Sequence, residues 1–189
     1  MRKLKLQVQI TVDGYVARSD GGLDWMTFTP DETMFSAINA LTDSSDTILL
    51  GRKMTQGFVN YWEDVVDNQP ESPEHYFAVK MVQTPKVIFT KTLTAPVGRN
   101  TSLAKGDLVS EVTALKNKPG KDIIVYGGAG FVSSLLQEGL IDELNLFVNP
   151  VLIGKGMRIF DTLDSTRKLR LEKAIPFGNG ETLLTYALL

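Results

Sequence analysis

The stretch Ile123, Ile124, Val125, Tyr126, Gly127, Gly128, Ala129, Gly130, Phe131 constrains the fold most: an apolar run stops at a glycine-rich turn and passes directly into helical sequence. A buried strand that opens into a helix in this way belongs to α/β architecture. Backbone N–H groups left free at a helix N-terminus, with the helix dipole behind them, attract an anion. Residues without bulky side chains let a phosphate come close. Glycines also serve tight packing in such turns, so this one stretch leaves both readings open.

A second stretch of the same kind shifts the balance. Thr47, Ile48, Leu49, Leu50 reads as a buried strand running into Gly51, Arg52, Lys53 and then a helix. Cations gain nothing from the dipole at a helix start, so a bound anion explains Arg52 and Lys53 better than helix stability does. The competing reading is a solvated first turn. Two phosphate cradles suit a long, multiply charged ligand. A dinucleotide with an additional 2′-phosphate uses one cradle for the pyrophosphate and the basic pair for the extra charge, which makes NADPH the natural cofactor.

With 189 residues and 43% apolar content, the expectation is one globular domain over residues 1–189. A formal net charge of −2 argues against a nucleic-acid or anionic-membrane partner. The absence of cysteine excludes disulfides and thiolate zinc, and fits a cytoplasmic location. Residues 1–10 alternate polar and apolar side chains, which reads as a strand and not as a signal peptide. No run approaches the about 18 apolar residues of a membrane span.

The single histidine, His75, falls in an acidic, proline-containing loop, so hydrolysis by a triad and a His-based metal site are both disfavoured. Gly154, Lys155, Gly156 lacks the hydroxyl residue and leading glycine of a P-loop. Hydride transfer asks less of the protein, because the cofactor carries the chemistry.

Along the chain, Pro30, Asp31, Glu32 reads as a helix start, with Met34, Phe35, Ile38 and Leu41 as its apolar face. Residues 55–66 read as helical at first and irregular afterwards, and 67–73 as a surface loop. Lys86 to Thr90 reads as a strand, Thr101 to Leu103 as a short extended piece, and Asp107 as the cap of a further helix. This alternation predicts an α/β fold with a mostly parallel central sheet, helices on both faces, and a ligand crevice at the carboxyl ends of the strands. Beyond Ile141 the texture changes to three strands, the last two forming a hairpin around Phe177 to Gly180. An antiparallel C-terminal edge hairpin is therefore expected.

These residues together resemble a known family. Thr11 to Ala17 with Leu23, Asp24, Trp25, then Leu49 to Thr55, Val125 to Ala129, Gly139 to Leu144, and Pro150 to Gly156 with Phe160 stand in the order seen in the dihydrofolate reductase-like fold. They resemble most closely the reductase domain of bacterial riboflavin biosynthesis and its stand-alone relatives. The resemblance implies an NADPH-dependent oxidoreductase acting on a pterin- or pyrimidine-like heterocycle, as 5-amino-6-(5-phosphoribosylamino)uracil reductase does. Dihydrofolate reductase and a non-catalytic NADPH-binding sensor are the alternatives.

It further implies that Gly51, Arg52, Lys53 and Thr55 bind the adenosine-side phosphates, that Thr90 and Lys91 lie near the 2′-phosphate, and that Gly127, Gly128, Ala129, Gly130 and Phe131 bind the pyrophosphate. Val16 and Ala17 are implied to hold the nicotinamide carboxamide through backbone groups, with residues 18–24 as a closing loop. A cis peptide between Gly127 and Gly128 and a homodimer are expected on the same ground.

The resemblance further implies that Asp31 or Glu32 stands at about the place where dihydrofolate reductases use an acidic residue to interact with the pterin; Asp31 is the catalytic candidate, with helix capping as the competing reading. Trp25 and Phe35 are candidates to stack on the substrate, with core packing as theirs. Arg158 is the one candidate for a substrate phosphate, and the zinc deaminase domain of the bifunctional riboflavin enzyme is absent from this sequence.

Overall fold

A computed structural model of the chain describes residues 1–26 and 31–189, so the expected helix-start residue Pro30 lies outside the described residues. Strand β1 spans Leu4–Thr11 and is followed by helix α1, Glu32–Asp43. Strand β2, Ser45–Gly51, runs directly into α2, Arg52–Asn68, which is followed by α3, His75–Gln83. Next come β3, Lys86–Phe89; β4, Thr101–Ala104; and α4, Leu108–Lys116. Then follow β5, Asp122–Val125; α5, Ala129–Gln137; and β6, Glu143–Asn149. The chain ends in β7, Leu169–Pro176, and β8, Thr182–Leu188.

The eight strands form one sheet in the order β4-β3-β2-β5-β1-β6-β8-β7. All pairs from β4 to β6 are parallel, and β8 pairs antiparallel with both β6 and β7. This is the expected mostly parallel sheet with an antiparallel edge hairpin. Alternation along each strand divides the core between two faces. Leu4, Leu6, Val8, Leu49 and Val125 pack on one face with Val112 of α4 and Val132, Leu135 and Leu136 of α5. On the other, Ile48, Leu50 and Ile124 pack with α2 and α3, while Met34 and Ile38 of α1 cover Phe147 and Leu183.

Two local readings are corrected. Helix α2 is continuous to Asn68 instead of turning irregular, because Thr55, Val59 and Val65 are buried at helical spacing and Phe58 and Trp62 pack on the core from the same helix. His75 opens α3 instead of lying in a loop; Ala78, Met81 and Val82 bury that helix against α2 and the sheet. No helix among the described residues is long and apolar enough to cross a membrane.

Candidate cofactor and substrate site

Because six strands run parallel, their carboxyl ends share one edge of the sheet, and the segments that leave it are brought together. These are residues 12–17, Gly51 with Arg52, residues 90–92, residues 105–107, residues 126–128 and residues 150–156. Helix capping differs along this edge. Asp107 caps α4, its carboxylate accepting from the Ser110 N–H at 3.0 Å, whereas α2 and α5 start from Gly51 and Gly128 with no side-chain cap. The first turns of α2 and α5 contain no acid. Their free N–H groups are thus open to an external anion.

An open cleft of about 390 Å³ lies at the β2, β3 and β4 end of this edge. The expected cofactor residues Arg52, Thr90, Lys91 and Phe131 meet there, together with Phe89, Thr92, Ala104, Gly106, Leu108 and Ser134. Arg52 and Lys53 are exposed and form no ion pair among the described residues. The Lys91 ammonium donates to the Lys105 and Gly106 carbonyls at 2.9 and 2.8 Å, which folds the chain after β4 over the cleft. The Thr90 hydroxyl accepts from the Thr92 and Leu93 N–H groups at 3.1 and 3.0 Å and so shapes the cleft rim.

Thr55 has a different place from the one the resemblance implies. It is 1% exposed, and its hydroxyl donates to the Gly51 carbonyl at 3.1 Å, so it fixes the strand-to-helix turn from inside and does not face the cleft.

Gly127 and Gly128 have φ of 144° and 85°, and the peptide between them is trans, contrary to the expected cis bond. Positive φ at two successive glycines reverses the chain without a cis bond. The Phe131 and Val132 N–H groups donate back to the Gly128 carbonyl at 2.8 and 3.0 Å. The N–H groups of Ala129 and Gly130 remain without an intrahelical acceptor, as first-turn groups do.

Val16 and Ala17 are held by the segment after β6. The Val16 N–H donates to the Met157 carbonyl at 2.9 Å and the Met157 N–H to the Ala17 carbonyl at 2.8 Å. What remains for a carboxamide is the Val16 carbonyl and the Ala17 N–H. Asp13 locks the same two segments together: its carboxylate accepts from the Thr11 hydroxyl at 2.6 Å and from the Ile153 and Gly154 N–H groups at 3.1 and 2.7 Å. The Thr11 hydroxyl, followed by these backbone donors, holds the Asp13 carboxyl below its ordinary range. Arg158 lies over the Tyr15 ring at 4.4 Å and donates to its hydroxyl at 2.9 Å.

Asp31 is the N-cap of α1. Its carboxylate accepts from the Met34 N–H at 2.8 Å and the Gly178 N–H at 2.7 Å, and these two bonds hold it below the usual carboxylate range. Trp25 is buried and its indole N–H has no partner among the described residues, while Phe35 is half-buried on α1. Sequence reasoning did not single out Phe89, Gly106, Leu108 or Ser134. The signal that finds them is topological: each lies at or just after the carboxyl end of β3 or β4, or on the first turns of a helix beside it.

The model of the RibD C-terminal domain family matches residues 2–183. The chain belongs to this family. It is 27% identical over 186 residues to the uncharacterised protein YyaP of Bacillus subtilis (strain 168), covering 98% of this chain and 94% of that one. Among solved structures, a Shewanella sp. PV-4 protein described as a riboflavin biosynthesis protein matches with TM-score 0.74 and 25% identity, covering 100% and 99% of the two chains.

The deaminase/5-amino-6-(5-phosphoribosylamino)uracil reductase of Thermotoga maritima matches with TM-score 0.67 and 18% identity, this chain covering 57% of it. Dihydrofolate reductase of Enterococcus faecalis, solved with NADP(H), matches with TM-score 0.61 and 13% identity over 98% of this chain and 96% of that one. These last two likenesses establish the dihydrofolate reductase-like fold.

Proposed function

We propose that the chain is an NADPH-dependent reductase of a pyrimidine- or pterin-like heterocycle, of the riboflavin-biosynthesis type. The observation that carries this reading is the pairing of two uncapped helix starts with the cations Arg52 and Lys53, which form no ion pair among the described residues, on one sheet edge, in a member of the RibD C-terminal domain family. Arg52, Lys53, Thr90 and Lys91 hold the adenosine end of the cofactor, and the first N–H groups of α5 hold its pyrophosphate. The Val16 carbonyl and Ala17 N–H orient the carboxamide. The cofactor supplies the hydride when bound; the chain supplies orientation, charge and exclusion of water.

Among heterocycles, the riboflavin type is favoured over dihydrofolate. Both oxygens of Asp31 already accept backbone N–H groups, which suits a structural acid better than one reserved for a pterin. We also propose that two copies pair along β7, the outer strand of the sheet, where Leu169 and Leu171 are exposed.

The test is turnover: loss of dihydronicotinamide absorbance with NADPH and 5-amino-6-(5-phosphoribosylamino)uracil. Steady turnover supports the reading. NADPH binding without turnover of this substrate or of dihydrofolate points instead to a sensor.

A further inference from the structure

The sheet face beneath α1 differs chemically from the opposite face of the same strands. Register sets Gln7 and Gln9 of β1 beside Asn145 and Phe147 of β6, and these beside Thr185 and Leu183 of β8. Thr11 lies beside Asn149, and Glu181 precedes Thr182, the partner of Val148. The opposite face carries Leu4, Leu6, Val8 and Leu144. A largely buried polar strip therefore lies on this face, and in the same register rows Met34 and Ile38 of α1 cover Phe147 and Leu183.

Most of the strip is internally bonded: Asn149 donates to the Gln9 amide oxygen at 2.6 Å, and the Thr185 hydroxyl to that of Asn145 at 2.9 Å. Two buried atoms in it have no hydrogen-bond partner among the described residues, Gln7 Oε1 and Glu181 Oε2. Buried polar atoms without partners are rare enough to need a reason.

Glu181 follows the turn that joins β7 to β8 and is 3% exposed. Its Oε1 accepts from the Asn179 amide at 3.1 Å. The turn is anchored to the start of α1 through the bond from the Gly178 N–H to Asp31, and Gly180 packs beside Pro150, just after β6. The carboxyl thus sits on the same edge as the cofactor-binding segments, with exposed Gly178 and Gly180 beside it. Burial raises it above the ordinary carboxylate range, while neighbouring Asp31 is held below. Such a raised carboxyl takes up a proton more readily than a free one, and in its protonated form it is a donor and an acceptor side by side, the pattern that pairs in-plane with the N–H and C=O of a lactam.

We infer that Glu181 is a substrate-binding residue of the reductase site and recognises the lactam edge of a flat heterocycle. With the carboxyl protonated, Oε2 donates to the lactam carbonyl, and the lactam N–H returns to Oε1, which has a second lone pair. This rests on the reductase reading above.

The test is calorimetric binding of 5,6-diaminouracil, the ring portion of the substrate named for the Thermotoga relative, to the NADP⁺-saturated protein. NADP⁺ binding is measured first for the native chain, Glu181→Gln and Glu181→Leu. All three should bind NADP⁺ alike, with Gln within about threefold of native for diaminouracil and Leu weaker by about tenfold or more.

A second readout needs no variant that depends on refolding: the Glu181 carboxyl ¹³C resonance of the native protein should move on adding diaminouracil. Native binding by Glu181→Leu, an unmoved resonance, or no diaminouracil binding despite NADP⁺ binding overturns this inference alone. Absence of NADP⁺ binding overturns the reductase reading and this inference with it.

Discussion

Gly51 and Phe131 touch across the starts of α2 and α5: a Cβ built on Gly51 would lie 2.6 Å from the Phe131 Cβ. The end of β2 and the first turn of α5 meet only because position 51 has no side chain. Gly51→Ala must push the two helix starts apart. We expect a stability loss of about 1–3 kcal/mol, as for overpacking elsewhere, together with weakened NADPH binding. Urea unfolding and a cofactor titration check it, and unchanged values for both would show that the two helix starts are independent.

Asp13 predicts a different effect, one without overpacking. Removing its carboxylate in Asp13→Ala releases the Ile153 and Gly154 N–H groups and with them the bridge that aligns Val16 and Ala17. Hydrogen exchange at Val16 and Met157 should accelerate, and NADPH binding should weaken by roughly tenfold, the order of one lost bond to a charged group. The native latch stays ionised until the pH falls below its lowered pKa, so at neutral pH it is fully formed.

Much of this was legible in the sequence. The two strand-to-glycine-to-helix runs located the starts of α2 and α5, because an apolar run ending in glycine has a local cause. The hairpin after Ile141 was legible from alternation around Phe177 to Gly180. The polar strip was not: residues 1–10 read only as an alternating strand, and it is the register with β6 that sets Gln7 beside Asn145 and Gln9 beside Phe147, which α1 covers. Thr55 and Asp31 were legible as residue types at helix starts, yet whether such a hydroxyl or carboxylate faces a ligand or its own backbone is decided by contacts remote in sequence, such as Gly178 with Asp31.

Asp31 itself separates capping from catalysis. Asp31→Ala should lower the thermal midpoint by removing the acceptor for Met34 and Gly178, and Asp31→Ser should restore part of it, since serine also caps. Turnover is expected to follow the same order as stability. A Ser variant that recovers stability while losing turnover would make the carboxylate catalytic.

On the far edge of the sheet, Lys86 is buried and its ammonium donates to the Met81, Val82 and Thr84 carbonyls at 2.8, 2.9 and 2.9 Å, closing the C-terminus of α3. Burial brings it down to about 8 from 10.5. Between these values the unfolded chain holds the proton and the folded chain does not, so this group's contribution makes stability rise with pH across that window; below it the cost of the buried charge is fully present. Lys86→Met loses this term. Urea unfolding of both proteins from neutral to alkaline pH should show the native chain's advantage widening through the window, and a constant difference would contradict the assignment.

The central claim is that Arg52 and Lys53 read the extra phosphate of NADPH. Titration of the purified chain with NADPH and NADH, followed by tryptophan fluorescence, tests it most directly, with Arg52→Ala/Lys53→Ala alongside. The account predicts tighter binding of NADPH than of NADH in the native chain, with that preference lost in the variant. Equal binding of the two nucleotides by the native chain, or a preference that survives the double substitution, would contradict it.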